Sequence, residues 1–526
     1  MRRRSAELFP FFAATLLCGG SAGASSAVEF PDNGVAQFSR GGAWLVTASD
    51  PIAGYYNPAA LATQPTSFGV GFNLVFQKIC FERHGSNGTP QSYRDGGEAY
   101  PEVCNDNAGR PNAVPTAAFV YRVNEALGVG LTVTPPSGFG KLSWPDSVTV
   151  VNSIGFERPI PAPQRYLSMG VDATVLWPTL SAGYALTPDL RIGAGFVSGI
   201  AILELGSMSM GQVDPAVLRD QPETDTRSTL DVKDLFVPGF VLSAHYSATP
   251  SIELGAWYRF SDSIKAKGDL EVVAPYYTNP PGNQVRTRCG EPNAVPGQCA
   301  ETFKSVDQIG EDRNSVTVTV PMEARIGIRW HMPHRPAAAL LGEKLRRNEF
   351  FTRDPLRDDV YDIELDLSWA NNSAAEEIEI RLTPIQVAVS EVPRNADRPT
   401  GYKDSVGARL GGQYAILRNK LGVRLGTWIE SSATDAGFLT VTGVAALRGG
   451  FGGGVVFRVQ AVDLELGYQH LWNAGLDNGG DGEQRGIAGT TAATSGNFDN
   501  RSYHAVNDGS VTQSGNAFSL GGIARF

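Results

Sequence analysis

Along much of this chain apolar and polar side chains alternate with a period of two, as in a strand with one face in an apolar medium and the other in a polar one. Ile252, Leu254, Ala256, Tyr258 and Phe260 alternate with Glu253, Gly255, Trp257 and Arg259. Ala324, Ile326, Ile328 and Trp330 stand against Glu323, Arg325, Gly327 and Arg329, and Ile363, Leu365, Leu367 and Trp369 against Glu364, Asp366 and Ser368. The pattern recurs at Leu421 to Ile429 and at Val462 to Tyr468. Alternation fits a soluble sandwich as well as a membrane barrel, because both hide one face of each strand.

The connections separate the two. Fourteen strands are predicted at 67–77, 114–123, 126–136, 172–186, 189–203, 238–248, 251–275, 315–331, 359–382, 404–416, 419–430, 449–459, 461–473 and 516–526. Tight turns at Asn124-Glu125, Thr187-Pro188, Thr249-Pro250 and Arg418-Asn419 alternate with long polar connections over 78–113, 204–237, 276–314 and 474–515. Short periplasmic turns and long outside loops are the habit of outer-membrane barrels, whereas a compact soluble domain rarely carries so many long loops. One connection departs from this habit: 332–358 should be a short turn but spans 27 residues, with a basic, helix-like run from Ala337 to Arg347. It is read as a periplasmic insertion or a miscounted strand. The chain closes on Phe518, Leu520 and Phe526 along one face, with an aromatic terminus that resembles the sorting signal of outer-membrane barrels.

Composition agrees. Sixty glycines and 25 phenylalanines suit many strands and turns, and a mean hydropathy of -0.14 does not suit a bundle of spanning helices. Arg2 to Arg4, the apolar run Phe9 to Cys18 and Ala22-Gly23-Ala24 read as a cleaved signal peptide over residues 1–27. Cys18 follows Leu16-Leu17 rather than a small residue, which disfavours lipidation. Past residue 27 no apolar run reaches the length of a spanning helix, so a membrane-inserted chain crosses as strands. Losing three arginines and Glu7 takes the net charge from -10 to -12, which speaks against nucleic-acid partners. The remaining cysteines fall into two close pairs, Cys80 with Cys104 and Cys289 with Cys299, read as loop disulfides in an exported chain; metal-ligand spacing is missing.

Residues 28–66 do not alternate and read as a compact plug. A helix is predicted from Val35 to Ala48, followed by Asp50-Pro51 and Tyr55-Tyr56-Asn57-Pro58-Ala59-Ala60-Leu61. With Arg40-Gly41-Gly42-Ala43 ahead of it, this string resembles the start of the FadL/TodX family of outer-membrane transporters for long-chain fatty acids and aromatic hydrocarbons. The similarity continues through Trp257-Tyr258-Arg259 and Lys267-Gly268-Asp269 and the spacing of 405–473 and 516–526. It implies an all-β fold: a monomeric, 14-stranded antiparallel transmembrane β-barrel over 67–526, with 28–66 as an N-terminal hatch inside the lumen. It further implies that a hydrophobic small molecule is taken from outside, held in apolar pockets and released sideways into outer-membrane lipid at a kinked third strand, with no cofactor.

Hatch candidates are Arg40, Asp50, Asn57, Pro58 and Ala59. Asn57 suits a turn whose direction Pro58 fixes, and a purely structural turn explains it as well. Arg40 and Asp50 are candidates to tie the hatch to Glu253, Glu364 or Asp366, against plain solvation in a wet lumen. Pro135, Pro136 and Gly138 end the third strand, because proline donates nothing to the ladder; they mark either a lateral opening or the start of a loop. Phe139, Leu142 and Trp144 are candidates for an outer apolar groove. No nucleophile elbow, phosphate-binding loop or HExxH is present, and His331 and His334 beside Pro333 read as incidental, so enzyme function is the weaker class. A barrel with loop-borne adhesin or hydrolase function is the alternative. A general porin is disfavoured because a hatch would obstruct its pore.

Overall fold

The computed structural model describes residues 33–85, 99–135, 140–151, 154–210, 222–277, 286–295, 298–305, 314–334, 342–344, 350–383, 385–387, 390–391, 395–487 and 501–526. The predicted signal peptide, and Pro136, Gly138 and Phe139, lie outside them. Fourteen antiparallel strands close into one barrel. They are β1 (Ser67–Arg83), β2 (Asn112–Arg122), β3 (Leu127–Thr134, resuming at Gly140–Ser143), β4 (Gly170–Ala185), β5 (Leu190–Ser209), β6 (Thr226–Thr249) and β7 (Ile252–Ser261 and Ile264–Ala274). The second half comprises β8 (Asn314–Val318 and Glu323–Pro333), β9 (Asp359–Ala370 and Glu377–Arg381), β10 (Ser405–Leu417), β11 (Leu421–Glu430), β12 (Arg448–Val459), β13 (Val462–Asn473) and β14 (Gly509–Arg525). Closure runs from Ser67 opposite Arg525 to Arg83 opposite Gly509, so the sheet has no free edge along this seam.

The alternation decides which face is which. Glu253, Trp257, Arg259, Arg329, Glu364 and Asp366 are buried, while Ile252, Leu254, Ile326, Ile328, Leu365 and Leu367 are exposed. With Phe196, Leu180, Leu425, Leu464 and Phe518 the exposed residues form an outward apolar belt. A water-soluble monomer does not tolerate that much exposed apolar surface; a bilayer requires it. Among the described residues no helix is long and apolar enough to cross a membrane.

Three predicted strands are interrupted. β7 breaks at Asp262-Ser263, β8 at 319–322 and β9 at 371–376. Prediction also stopped β5 at 203 and began β6 at 238, whereas their ladder extends through Thr226 opposite Ser209. There the alternation is reversed, with Leu230 and Val232 buried and Asp231 and Lys233 exposed, so it does not carry the apolar-outward pattern that marks the other strands. Cys80 and Cys104 form a disulfide, as do Cys289 and Cys299. Cys80 lies on the outer end of β1 rather than in a loop, paired in register with Cys104.

Among the described residues the ladder between β2 and β3 is short. The β2–β3 ladder ends at Ala117 opposite Val133. On the other side of β3, Thr134 pairs with Trp177 and Gly140 pairs with Ala173. Among the described residues Ala113 to Thr116 of β2 therefore have no ladder partner on the β3 side. Pro115 and Pro135, which donate no N–H, stand on the two margins of this gap.

Candidate functional site

Residues 33–66 lie inside the barrel and are almost wholly buried. The predicted helix from Val35 to Ala48 shrinks to α1 (Val35–Ser39), because Gly41 and Gly42 take positive φ of 60° and 80° and turn the chain. A short helix α2 (Ala53–Tyr56) and a 3-10 turn (Pro58–Thr63) complete the segment.

Two rows of glycine on opposite walls make room for it. Gly128, Gly183 and Gly193 are consecutive ladder partners on β3, β4 and β5. A Cβ on Gly128 would overlap the Leu61 carbonyl, on Gly183 the Pro58 carbonyl oxygen, and on Gly193 the Ala59 nitrogen. Gly411, Gly426 and Gly452 form the second row on β10, β11 and β12. There a Cβ on either of the first two would overlap the Arg40 carbonyl, and one on Gly452 would crowd Phe38 O. Backbone thus packs on backbone, closer than any side chain permits.

Charged strand residues then satisfy the segment's amides. Asp366 accepts from the N–H of Trp44 and of Leu45, both at 3.0 Å. Glu364 accepts from Val46 at 2.6 Å and from Thr47 at 3.0 Å. Two carboxylates two residues apart on one strand face therefore hold four successive N–H groups that form no helix; isolated buried amides would be costly. Arg40 pairs with Asp362 at 2.6 Å and with Glu364 at 3.3 Å, and its Nε donates to Ala43 O.

Asp50 differs from the expectation. It accepts from the Ile52 N–H at 2.9 Å, and burial, with the neighbouring Glu465 carboxylate adding to it, pushes its carboxyl up to about 7. It is a turn-forming acid, not a tie to Glu253, Glu364 or Asp366. Glu253 is engaged instead by Arg329 at 2.9 Å and by Ser247 at 3.1 Å.

Asn57 is fully buried and its Nδ2 donates to Leu45 O at 2.7 Å, stitching the two halves of the segment together. The Ala59 N–H donates to Ser243 Oγ at 2.8 Å. Trp257 Nε1 donates to Tyr55 O at 2.8 Å, and Arg259 reaches the Tyr55 hydroxyl at 3.0 Å. At the other end Asn33 Nδ2 donates to Pro135 O at 2.6 Å, at the break in β3. His331 Nδ1 lies 2.8 Å from Asp359, within a buried ionic cluster.

Outward of the segment, at the long-loop end, lies an apolar cavity of about 240 Å³. Val171, Ala173, Leu203 and Leu205 line one side and Val316, Val318, Ile378 and Ile380 another. Phe438, Thr440 and Tyr402 lie toward the loops. Its charged lining residue, Arg398, donates to Leu167 O at 2.5 Å and to Tyr166 O at 3.3 Å. Leu142 and Trp144 do not line this cavity; they are buried in a neighbouring cluster beneath the outer loops with Tyr166, Leu167 and Met169. Sequence reasoning missed the cavity because no pair of its walls is close in the chain. The inward positions of Glu364 and Asp366 were legible from alternation, but their bonding to backbone was not.

The fold is shared with solved outer-membrane structures. A FadL homologue from Pseudomonas aeruginosa superposes with a TM-score of 0.63 at 15% identity, over 95% of this chain and 100% of that one. The toluene transporter TbuX of Ralstonia pickettii gives 0.53 at 16% identity, over 94% and 99%. The toluene transporter TodX of P. putida gives 0.54 at 14%, over 95% and 99%. No family model and no curated protein matches the sequence. At such identities the likeness is one of fold, and at that level it agrees with the resemblance carried by the Arg-Gly-Gly-Ala and Asn-Pro-Ala-Ala-Leu strings.

Proposed function

We propose that this chain carries small hydrophobic molecules across the outer membrane by diffusion, with residues 33–66 as a hatch, and that it is a transporter rather than an enzyme. The observation that supports this most is the apolar cavity of about 240 Å³ directly outward of the buried segment. A polar pore would have wet, charged walls at that level; this one offers aliphatic side chains to a molecule that gains roughly 25 cal/mol per Å² on leaving water. The solved toluene transporters of the same fold add weight.

Size and charge narrow the cargo. An apolar cavity of roughly 150 Å³ accommodates benzene, so this one suits a two-ring arene or a compact hydrocarbon. Arg398 already donates to two carbonyls, which favours an uncharged cargo over a fatty acid. The stretch Ala113–Thr116, which among the described residues has no ladder partner on the β3 side, supports sideways release into lipid. Such an exit spares the cargo a second passage through water.

The test is equilibrium binding of naphthalene and of decanoate to the purified, delipidated protein. Naphthalene is expected to bind at about 10 μM or tighter, as roughly 7 kcal/mol of burial and contact implies. Decanoate is expected to bind at least about tenfold more weakly, the cost of a poorly paired carboxylate being at least ~1.4 kcal/mol. Absence of binding by either compound contradicts the reading; preference for decanoate replaces hydrocarbon by fatty acid.

A further inference from the structure

The stretch between β8 and β9, which breaks the pattern of short periplasmic turns, does not hang free where it is described. Residues 350–358 run across the periplasmic end of the barrel. Phe351 covers the Arg191 guanidinium, 5.7 Å from the ring centroid, at the start of β5. The Arg353 backbone N–H donates to Thr63 O at 3.1 Å, in the last turn of the luminal segment, and its side chain pairs with Glu253 on β7. Asp354 pairs with Arg458 on β12 at 2.5 Å. Leu356 is buried against Ala415 and Val456, and its carbonyl accepts from Asn419 N–H at 2.9 Å.

The order of the strands gives these contacts their meaning. β5 and β12 are seven apart in a closed ring of fourteen, so Phe351 and Asp354 are anchored on opposite walls. Beside the strap, Glu253, Arg329, His331 and Asp359 are each no more than 2% exposed. An open aqueous mouth would wet such charges, and buried charges are tolerated only when paired.

We infer that residues 350–358 form a strap that seals the periplasmic mouth and pins the hatch's last turn at Thr63. The strap, and not the hatch alone, excludes polar solutes and denies cargo an exit along the barrel axis. Arg353 is its positioning residue, joined to the hatch by its backbone and to the wall by its side chain. This permeability role holds whatever cargo the outer cavity takes, so a polar solute serves as the probe.

The experiment is liposome swelling in arabinose with the full-length mature chain, comparing wild type with Phe351→Ser/Arg353→Ser/Asp354→Ser. The triple variant is expected to admit arabinose about tenfold faster, as a widened polar constriction would, while keeping the heat-modifiable gel mobility of a folded barrel. A folded variant that swells within about twofold of wild type overturns the proposal. A second measurement stands if the triple variant does not fold. With the four cysteines paired at Cys80–Cys104 and Cys289–Cys299, Thr63→Cys introduces a single free thiol into the mature chain. Adding Arg353→Ala is expected to raise its labelling by a membrane-impermeant maleimide about tenfold, through local opening of the mouth; equal labelling rates overturn the proposal.

Discussion

Gly193→Leu combined with Gly426→Leu is expected to drive the luminal segment from its seat while leaving the barrel closed. The two positions lie on opposite walls, one against the Pro58-Ala59 backbone and the other against the Arg40 carbonyl. Neither obstruction is the tip of a flexible side chain, so the strain cannot be relieved by a rotamer change. Overpacking at about 2 kcal/mol per site sums to about 4 kcal/mol, or roughly a thousandfold in the docking equilibrium. Trypsin reads this directly. Arg40 is the sole basic residue in 33–66 and is 1% exposed in the native protein. Cleavage at Arg40 should accelerate at least about a hundredfold, because proteolysis follows the open population when closing is fast. Neither substitution lies on β1 or β14, the strands of the closing seam, so heat-modifiable mobility should persist. Unchanged protection of Arg40 in a folded double variant would show that the glycine rows do not seat the segment.

The second large effect is expected from filling the cavity. Ala173 lies on β4 between its ladder partners Gly140 and Leu203, lines the cavity and packs against the apolar cluster that includes Trp44 and Leu61 of the luminal segment. Ala173→Trp places an indole in that space. A two-ring arene that loses about 150 Å² of contact at roughly 25 cal/mol per Å² forfeits close to 4 kcal/mol, so naphthalene binding should weaken at least about a hundredfold. Trypsin resistance at Arg40 serves as the control for a seated luminal segment. Retained binding would place the site elsewhere, with the neighbouring cluster around Leu142 and Trp144 next in line.

Much of the barrel was legible because its governing constraint is local. Lipid on one side and lumen on the other force each spanning residue to declare its face, so Glu253, Arg329, Glu364 and Asp366 read as inward without knowledge of any neighbour. The same logic fails where the alternation reverses. Asp231, Lys233 and Asp234 made the outer part of β6 look like loop, although it is laddered to β5. Inside the barrel the obstacles were of another kind. The helix predicted from Val35 ended early because Gly41 and Gly42 take positive φ, and Gly41 packs its backbone closely on β11. The glycine rows emerge only in register, since Gly128, Gly183 and Gly193 are scattered in sequence. Arg353 lay in a stretch marked as anomalous, but its Thr63 and Glu253 partners belong to distant parts of the chain.

In the proposed account a luminal segment and a strap close the barrel axis, an apolar cavity lies on the outer side, and a stretch of β2 has no β3 ladder partner among the described residues. Uptake of labelled naphthalene tests this most directly, in cells whose outer membrane contains the wild-type chain, the Ala173→Trp chain or neither. The wild type should raise the initial rate at least about tenfold over cells without the chain, the scale of the binding difference that the cavity supplies. Cells with Ala173→Trp should match those without it. Equal uptake in all three would contradict hydrophobic transport through this cavity.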